Sequence, residues 1–306
     1  DVYKRQTFMW PRSFWYRIYE PFIRKAAGFG VASKEHDKER YEHKYEYCDL
    51  LIAGSGPSGL ASAYAAAKNG ARVILAEDKP RFGGSLLTSD VSINNQSGKE
   101  WADNIITELK GMTNVTVKNR AQIFGYYDHN MLVMSERVTD HLPKSEEFTP
   151  KQRLWYIRAK QVVISSGSIE RPIVFGNNDT PGVVLASAAK EYMKVYGVLV
   201  GKKPVVFTNN DSAYETAIEF KKNNINPIVL DSRQDSNSEI IKEAKSLGID
   251  IKFSHVVVAA KGYKKVKSCD IAEISEDKQN LNQIKNIECD CICLLYTSPS
   301  PRDTDK

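Results

Sequence analysis

The sequence lacks the features expected of a membrane, secreted or nucleic-acid-binding protein. No apolar run reaches the ~18 residues that cross a bilayer, and no charged and apolar signal peptide opens the chain. The formal net charge is only +5 and forms no basic stripe. We therefore expect a cytoplasmic protein that binds no membrane and no nucleic acid.

Cysteine is also scarce, since the 306 residues include only five. Three of them, Cys289, Cys291 and Cys293, form a C-x-C-x-C sequence, which differs from the C-x-x-C spacing of zinc sites and redox-active pairs. In a chain of this length such a content excludes a disulfide framework and fits a reducing compartment. We predict that the cysteines are structural and that the chain has no metal site.

One pattern stands out between residues 49 and 77. A short apolar run ends in GSGPSG at residues 54–59, which has the G-x-G-x-x-G spacing. An alanine-rich helix is predicted from Pro57 to about Asn69, and a second apolar run then ends at Glu77. Strand, glycine turn, helix and strand in this order are the context that makes the motif a dinucleotide-binding site.

The chemistry of that site explains the residue types in the turn. Gly54 allows a tight turn, Gly56 lets the backbone approach a pyrophosphate, and Gly59 lets the helix pack closely on the strand. The phosphates then lie at the helix N-terminus, among free N–H groups and the positive end of the dipole. Pro57 suits the first helical position because its missing N–H would have no partner there.

A carboxylate follows where the adenosine ribose is expected. Glu77 lies 18 residues after Gly59, at the end of the second strand, where it can hold the two ribose hydroxyls and would repel a 2′-phosphate. NAD or FAD therefore fits better than NADP, although this stretch does not choose between those two. The pair Gly83 and Gly84 is predicted to continue the site, and Gly167, in the small-residue crossing SSGS, to lie beside it.

A second βαβ unit is predicted from residue 203 onwards, with its helix at 213–223. Its turn carries Asn209, Asn210 and Asp211 in place of glycines. Asp211 would bring negative charge to the phosphate position, so we expect this unit to keep the architecture without tight pyrophosphate binding.

Several stretches resemble the alpha subunits of heterotetrameric sarcosine oxidases. The most specific are FGYYDHN at residues 124–130 and VVFTNNDSAY at residues 205–214. The glycine-turn region, ERVTDHL at 136–142, RLWYIRAKQVVISSGSIERP at 153–172 and an aromatic arm at 7–30 also match, so the similarity covers nearly all of residues 7 to about 291.

This resemblance implies an α/β, Rossmann-like FAD/NAD(P)-binding flavoprotein fold with two dinucleotide domains, the second βαβ domain inserted in the first. It implies NAD in the first unit of this chain, FMN and FAD on a partner subunit, and tetrahydrofolate on a C-terminal domain beyond this sequence. The implied partners are the beta, gamma and delta subunits of a heterotetramer and a small-molecule amine substrate.

The resemblance also assigns nucleotide contacts by position, at Ser58, Glu77, Asp78, Lys79, Ser85 and Ile123. The family often has alanine where Ser58 stands. No catalytic residue is predicted, because no histidine belongs to a constellation of acid, base and nucleophile. The complete set of candidate cofactor-binding residues is Gly54, Gly56, Pro57, Ser58, Gly59, Glu77, Asp78, Lys79, Gly83, Gly84, Ser85, Ile123 and Gly167.

The predicted domains are a first dinucleotide-binding domain at residues 47–175 and an inserted second domain at 176–285. A strand at 286–293 is expected to return to the first domain. Residues 1–46 are predicted to be an arm and a linker. Residues 1–6 and 294–306 resemble translated adapter DNA and are expected to be foreign, so the chain is expected to be a fragment.

The resulting hypothesis is the NAD-binding part of a sarcosine oxidase alpha subunit. That enzyme demethylates sarcosine oxidatively to glycine with oxygen and tetrahydrofolate, giving hydrogen peroxide and methylene-tetrahydrofolate, in sarcosine catabolism and one-carbon metabolism. The alternatives are a stand-alone NAD(P)H-dependent FAD flavoprotein reductase, a related amine or opine oxidoreductase subunit, and a scaffold whose NAD never turns over.

Overall fold

The structure is a computed structural model, and it describes residues 10–28, 30, 34–143, 148–275 and 281–295. The chain divides into two compact units, residues 1–40 and residues 41–306. In the first unit a π-helical turn, Trp15–Tyr19, leads into helix α1 (Glu20–Ala26). Residues 1–6 and 296–306, which were expected to be foreign, lie outside the described residues.

Residues 41–306 begin with a six-stranded mixed sheet. Its strand order is β5-β2-β1-β8-β7-β6. The first four strands run parallel, and β7 is antiparallel to both of its neighbours, β8 and β6. A small separate hairpin, β3–β4, precedes helix α3. The elements are β1 (Tyr41–Ala53), α2 (Pro57–Lys68), β2 (Val73–Ala76), β3 (Ser92–Ile93), β4 (Gln96–Ser97), α3 (Gly98–Lys110), β5 (Val115–Lys118), β6 (Ala121–Tyr127), β7 (Met131–Arg137) and β8 (Gln152–Ile164).

A five-stranded parallel sheet of order β12-β11-β10-β16-β9 follows, together with an antiparallel β13-β14-β15 sheet. Its elements are β9 (Val183–Leu185), α4 (Ala186–Tyr196), β10 (Pro204–Thr208), α5 (Ser212–Lys222), β11 (Ile228–Asp231), α6 (Glu239–Ser246), β12 (Asp250–Phe253), β13 (His255–Gly262), β14 (Val266–Glu273), β15 (Lys285–Glu288) and β16 (Cys291–Leu295).

Burial explains why the central strands form where they do. Strands β2 and β10 are buried at every position, as expected for parallel strands that are covered on both faces. Helices α2 and α3 pack with β1 and β2 in one apolar cluster, and α4, α5 and α6 pack with β10, β11 and β16 in another. Ser97 and Glu100 form a reciprocal capping box that starts α3.

The predicted linker is partly wrong. Residues 41–46 belong to β1, which pairs with β8 over its whole length, from Tyr41 opposite Gln152 to Ala53 opposite Ile164. This part of the strand is polar and largely exposed, so its side chains give no strand signal. Its backbone hydrogen bonds to β8 hold it in the sheet regardless.

The predicted return of residues 286–293 to the first domain is also wrong. Within this segment β15 pairs with β14, and β16 lies between β10 and β9 of the second sheet. All five residues of β16 are buried, because an interior parallel strand needs apolar side chains on both faces. Leu294 and Leu295, expected to be foreign, form the end of this strand.

The described residues include no helix that is long and apolar enough to cross a membrane.

Candidate functional site

The glycine turn joins β1 to α2, and two of its glycines are required by contacts with backbone. Gly54 has φ +101°, and a Cβ there would lie 2.4 Å from the carbonyl oxygen of Ser165 at the end of β8. A Cβ on Gly59 would lie 2.0 Å from the carbonyl oxygen of Gly54. Both positions therefore exclude any larger residue, and the helix sits directly against the turn.

Gly56 is different, because it opens onto free space. It caps α2 with ordinary extended backbone (φ −65°), and no described atom lies within 4 Å of a Cβ added there. The first backbone hydrogen bond of the helix runs from Leu60 N–H to the Gly56 carbonyl, so the N–H groups of Ser58 and Gly59 have no acceptor within the helix. Pro57 lies in the first turn. The arrangement is a cradle for an anion.

The second glycine pair lies on the same turn. Gly83 (φ +119°) donates its N–H to the Ser55 carbonyl at 3.1 Å. Gly84 (φ +53°) lies so close that a Cβ there would be 2.8 Å from the Cα of Gly56. Ser85 follows at an exposed position. The structure thus brings together two glycine segments that are separated in sequence, and it builds the wall of the cradle from backbone.

Glu77 closes the site at the end of β2 and is only 6% exposed. Its carboxylate accepts hydrogen bonds from the Ser55 N–H (2.9 Å), the Ser55 hydroxyl (2.5 Å) and the Lys79 N–H (3.0 Å). Burial and the neighbouring Asp78 raise the pKa of Glu77 against the lowering effect of these donors. The carboxylate keeps spare lone pairs, which ribose hydroxyls can use as acceptors.

Three predicted residues lie around this centre. The half-buried Ile123 on β6 packs against the apolar cluster behind β1, and that strand starts where Ala121 N–H donates to the Glu77 carbonyl. Asp78 is exposed, and its carbonyl accepts a hydrogen bond from Arg137. Gly167 (φ +70°) stands just beyond β8 with no described atom near an added Cβ.

Lys79 contacts a residue that the sequence did not indicate. Its Nζ lies 2.8 and 2.9 Å from the two carboxylate oxygens of Glu191 on α4, 112 residues away. Burial lowers the pKa of Lys79, but the bond to Glu191 outweighs it and the pKa is raised. Lys79 follows β2 of the six-stranded sheet, and Glu191 lies on α4, which covers the second sheet. Only the packing of these two parts of the chain brings the residues together, so no sequence pattern could have revealed the pair.

The residues present fit a dinucleotide. A pyrophosphate needs uncovered N–H groups and close backbone, which Gly56, Gly84 and the start of α2 supply. A ribose needs a carboxylate at the end of the second strand, which is where Glu77 lies.

The corresponding turn of the second unit is filled by its own side chains. Asn210 Oδ1 accepts hydrogen bonds from the N–H (3.0 Å) and hydroxyl (2.6 Å) of Ser212 at the start of α5. Asp231 is fully buried and accepts hydrogen bonds from the Tyr214 hydroxyl (2.8 Å) and Arg233 Nη2 (2.7 Å). Arg233 also pairs with Asp211 at 2.8 Å.

The five cysteines are all buried, none of them in a disulfide. Burial, together with Asp49 and Glu46, raises the pKa of Cys48 to about 12, so this thiol is unreactive at neutral pH. Among the residues that the structure describes, no group of three or more histidine, cysteine, aspartate or glutamate side chains could hold a metal ion.

Comparison with known proteins supports the predicted resemblance. The family described as FAD dependent oxidoreductase matches residues 49–142. The sarcosine oxidase subunit alpha of Rhizobium meliloti (strain 1021) is 39% identical over 87% of this chain, and that of Corynebacterium sp. (strain P-1) is 35% identical over 87%. The chain spans only 26% and 28% of the length of these relatives.

The fold has many solved counterparts. The thioredoxin reductase of T. acidophilum aligns with 84% of this chain and 79% of its own length, with a TM-score of 0.61 and 15% sequence identity. The predicted flavoprotein fold with two dinucleotide-binding domains is therefore confirmed.

Proposed function

We propose that this chain, an oxidoreductase sequence similar to sarcosine oxidase alpha subunits over 87% of its length, is the NAD-binding part of such a subunit. The whole enzyme would demethylate sarcosine oxidatively to glycine, with oxygen as acceptor and tetrahydrofolate receiving the one-carbon unit. Beta, gamma and delta subunits would complete it. FMN and FAD would lie on a partner, and the folate site on a further domain of the alpha subunit.

The observation that carries the binding proposal is the backbone cradle at the start of α2. Gly56 and Gly84 leave room for a pyrophosphate, and the first-turn N–H groups of α2 face it. Glu77 stands where the ribose hydroxyls are expected, and its partners Ser55 and Lys79 hold it in place. A bound nicotinamide dinucleotide can exchange a hydride with a neighbouring redox group.

The choice of NAD over FAD rests on the resemblance to the alpha subunits. The matching family is named for FAD, and the glycine turn serves both dinucleotides equally. Glu77 disfavours only a 2′-phosphate. The identity of the nucleotide is therefore the property to measure.

The experiment uses the complete alpha subunit purified with its partners and identifies the nucleotide released on denaturation. NAD in about equal amount to the alpha subunit, with flavin on a different chain, supports the proposal. Release of FAD from this subunit would contradict it and favour the stand-alone reductase.

A matched variant ties the nucleotide to the cradle. In Gly56→Ala the added methyl group lies in the open space and touches no described atom, so folding should be unchanged. It should nevertheless displace the pyrophosphate and weaken NAD binding by about tenfold or more, which corresponds to ~1.4 kcal/mol. Ser58→Ala is the control, because it keeps the backbone N–H of the cradle and the family itself often has alanine there. Unchanged NAD retention in Gly56→Ala would contradict the assignment of the site.

The stand-alone NAD(P)H-dependent reductase is the second candidate. It would need a nucleotide site in the second unit, where Asn210 and the Arg233–Asp231 pair already use the polar groups. It would also be favoured by a C-x-x-C pair, which the sequence lacks. A related amine or opine oxidoreductase subunit would share the NAD site and differ in the substrate of the assembled enzyme.

A further inference from the structure

Glu191, on α4, joins the helices of the second sheet to the predicted ribose end of the site. Both of its carboxylate oxygens bind the Lys79 ammonium, at 2.8 and 2.9 Å. The Lys79 side chain remains 50% exposed and the Glu191 side chain 30%. The pair is therefore accessible from solvent and can rearrange when a ligand binds.

In the proposed site, Lys79 would lie close to a phosphate on the ribose. Its backbone N–H holds the Glu77 carboxylate at 3.0 Å, and its side chain leaves from a point two residues after that acid. A 2′-phosphate occupies the same part of the ribose as the hydroxyl that such an acid binds, and a nearby cation is what accommodates it. Without Glu191, Lys79 would be that cation.

We propose that Glu191 is a specificity-determining residue. By neutralising the Lys79 ammonium from helix α4, it disfavours dinucleotides that carry a 2′-phosphate. The inference rests on the proposed NAD site and extends it. Exclusion of NADP then has two parts, repulsion by Glu77 and capture of Lys79 by Glu191.

Two arginines are joined to the backbone beside Lys79. Arg137 donates to the Asp78 carbonyl at 3.1 Å, next to the exposed carboxylate of Asp78 itself. Arg120 is joined to this region by its backbone, whose N–H donates to the Lys79 carbonyl. Glu191 is the carboxylate that binds the Lys79 ammonium. The ammonium of Lys118, whose carbonyl accepts the Glu77 N–H, pairs instead with Glu136.

The test is a competition on the complete subunit with its partners. The protein is equilibrated with equimolar NAD⁺ and NADP⁺, separated rapidly from free nucleotide, and the bound nucleotides are quantified by chromatography. Glu191→Gln keeps the shape and removes the charge, so the NADP⁺-to-NAD⁺ ratio should rise about two- to fivefold, which is the range expected when an exposed ion pair is lost. Adding Lys79→Met should abolish that rise.

Glu215→Gln is the matched control, because Glu215 on α5 forms a similar ion pair with Lys190 on α4 and does not bind Lys79, so this variant should leave the ratio unchanged. An unchanged ratio in Glu191→Gln, or a rise that persists without the Lys79 ammonium, would overturn the inference while NAD binding stands. A wild-type protein that retains neither nucleotide would overturn the proposed function as well.

Discussion

In the first βαβ unit three residues, 54–56, separate β1 from α2, and in the second unit three residues, 209–211, separate β10 from α5. The turns are equally long and the topologies equivalent, but the side chains differ. Gly59, which has no room for a Cβ, is the third residue of α2. The third residue of α5 is Tyr214, whose side chain is fully buried. The first helix packs directly on the backbone of its turn, whereas the second has a buried tyrosine side chain at the same helical position.

The acids of the two units differ in register as well. Ala53 pairs with Ala76, so that Glu77 comes one position later, whereas Thr208 pairs directly with Asp231. Asp231 is therefore offset by one residue from the ribose position, and its carboxylate is used inside the protein. The same βαβ topology thus leaves the turn open in the first unit and fills it with side-chain hydrogen bonds in the second.

Gly59→Ala should have the largest effect, because it acts on stability and on nucleotide binding together. The added methyl group would lie 2.0 Å from the Gly54 carbonyl oxygen, so α2 must move away from its turn. Such overpacking costs about 1–3 kcal/mol of unfolding free energy or more, and displacement of the helix N-terminus should abolish nucleotide retention. Urea unfolding and nucleotide release measure the two effects. Normal stability with full nucleotide retention would show that the close helix contact is not needed.

Arg233→Met, in the second βαβ unit, should separate the two effects: stability should fall, and nucleotide retention should stay unchanged. It leaves the fully buried Asp231 carboxylate without its guanidinium partner, and breaking such a pair costs about 3 kcal/mol. Urea unfolding of the full complex measures the change, and the nucleotide released per chain should stay as in the wild type. Loss of nucleotide at unchanged stability would mean that the second unit is a binding site after all.

Asp90→Asn should have the smallest effect, because it removes only the ion pairs between Asp90 and the helices of the second sheet. Asp90 pairs with Lys194 and, at 2.8 Å, with Lys222, both on helices of the second sheet. These two bonds lower the pKa of Asp90 to about 2. A lowered carboxyl pKa contributes stability that is complete above the ordinary value of ~3.9 and is lost as pH falls through the folded value.

The difference in unfolding free energy between wild type and Asp90→Asn should therefore be constant above about pH 4 and shrink as pH falls towards about 2. Its size should stay within about 1 kcal/mol, because the carboxylate is largely exposed and solvent screens the pair. Asp103→Asn, on the exposed side of α3, serves as the control. A pH-independent difference for Asp90→Asn would contradict the role of these ion pairs.

Local pattern was enough to predict most of the elements. The helix after GSGPSG, the strand that ends before Glu77 and the helix predicted at 213–223 are observed close to their predicted positions. Local pattern could not assign partners to strands. It missed the polar half of β1, which pairs with β8 through its backbone. It also placed β16 in the wrong sheet, because an apolar run indicates that a strand is buried and does not indicate which strands lie beside it.

The sequence by itself determined the glycine turn, the acid that follows it and the family resemblance, because these depend on residue types at short spacings. Only the tertiary structure decided that Gly84 packs on Gly56, that Glu191 reaches Lys79, and that Asp231 is out of register with Glu77. Those contacts join residues far apart in the chain, and their geometry follows from how sheets and helices pack, which local spacing does not encode.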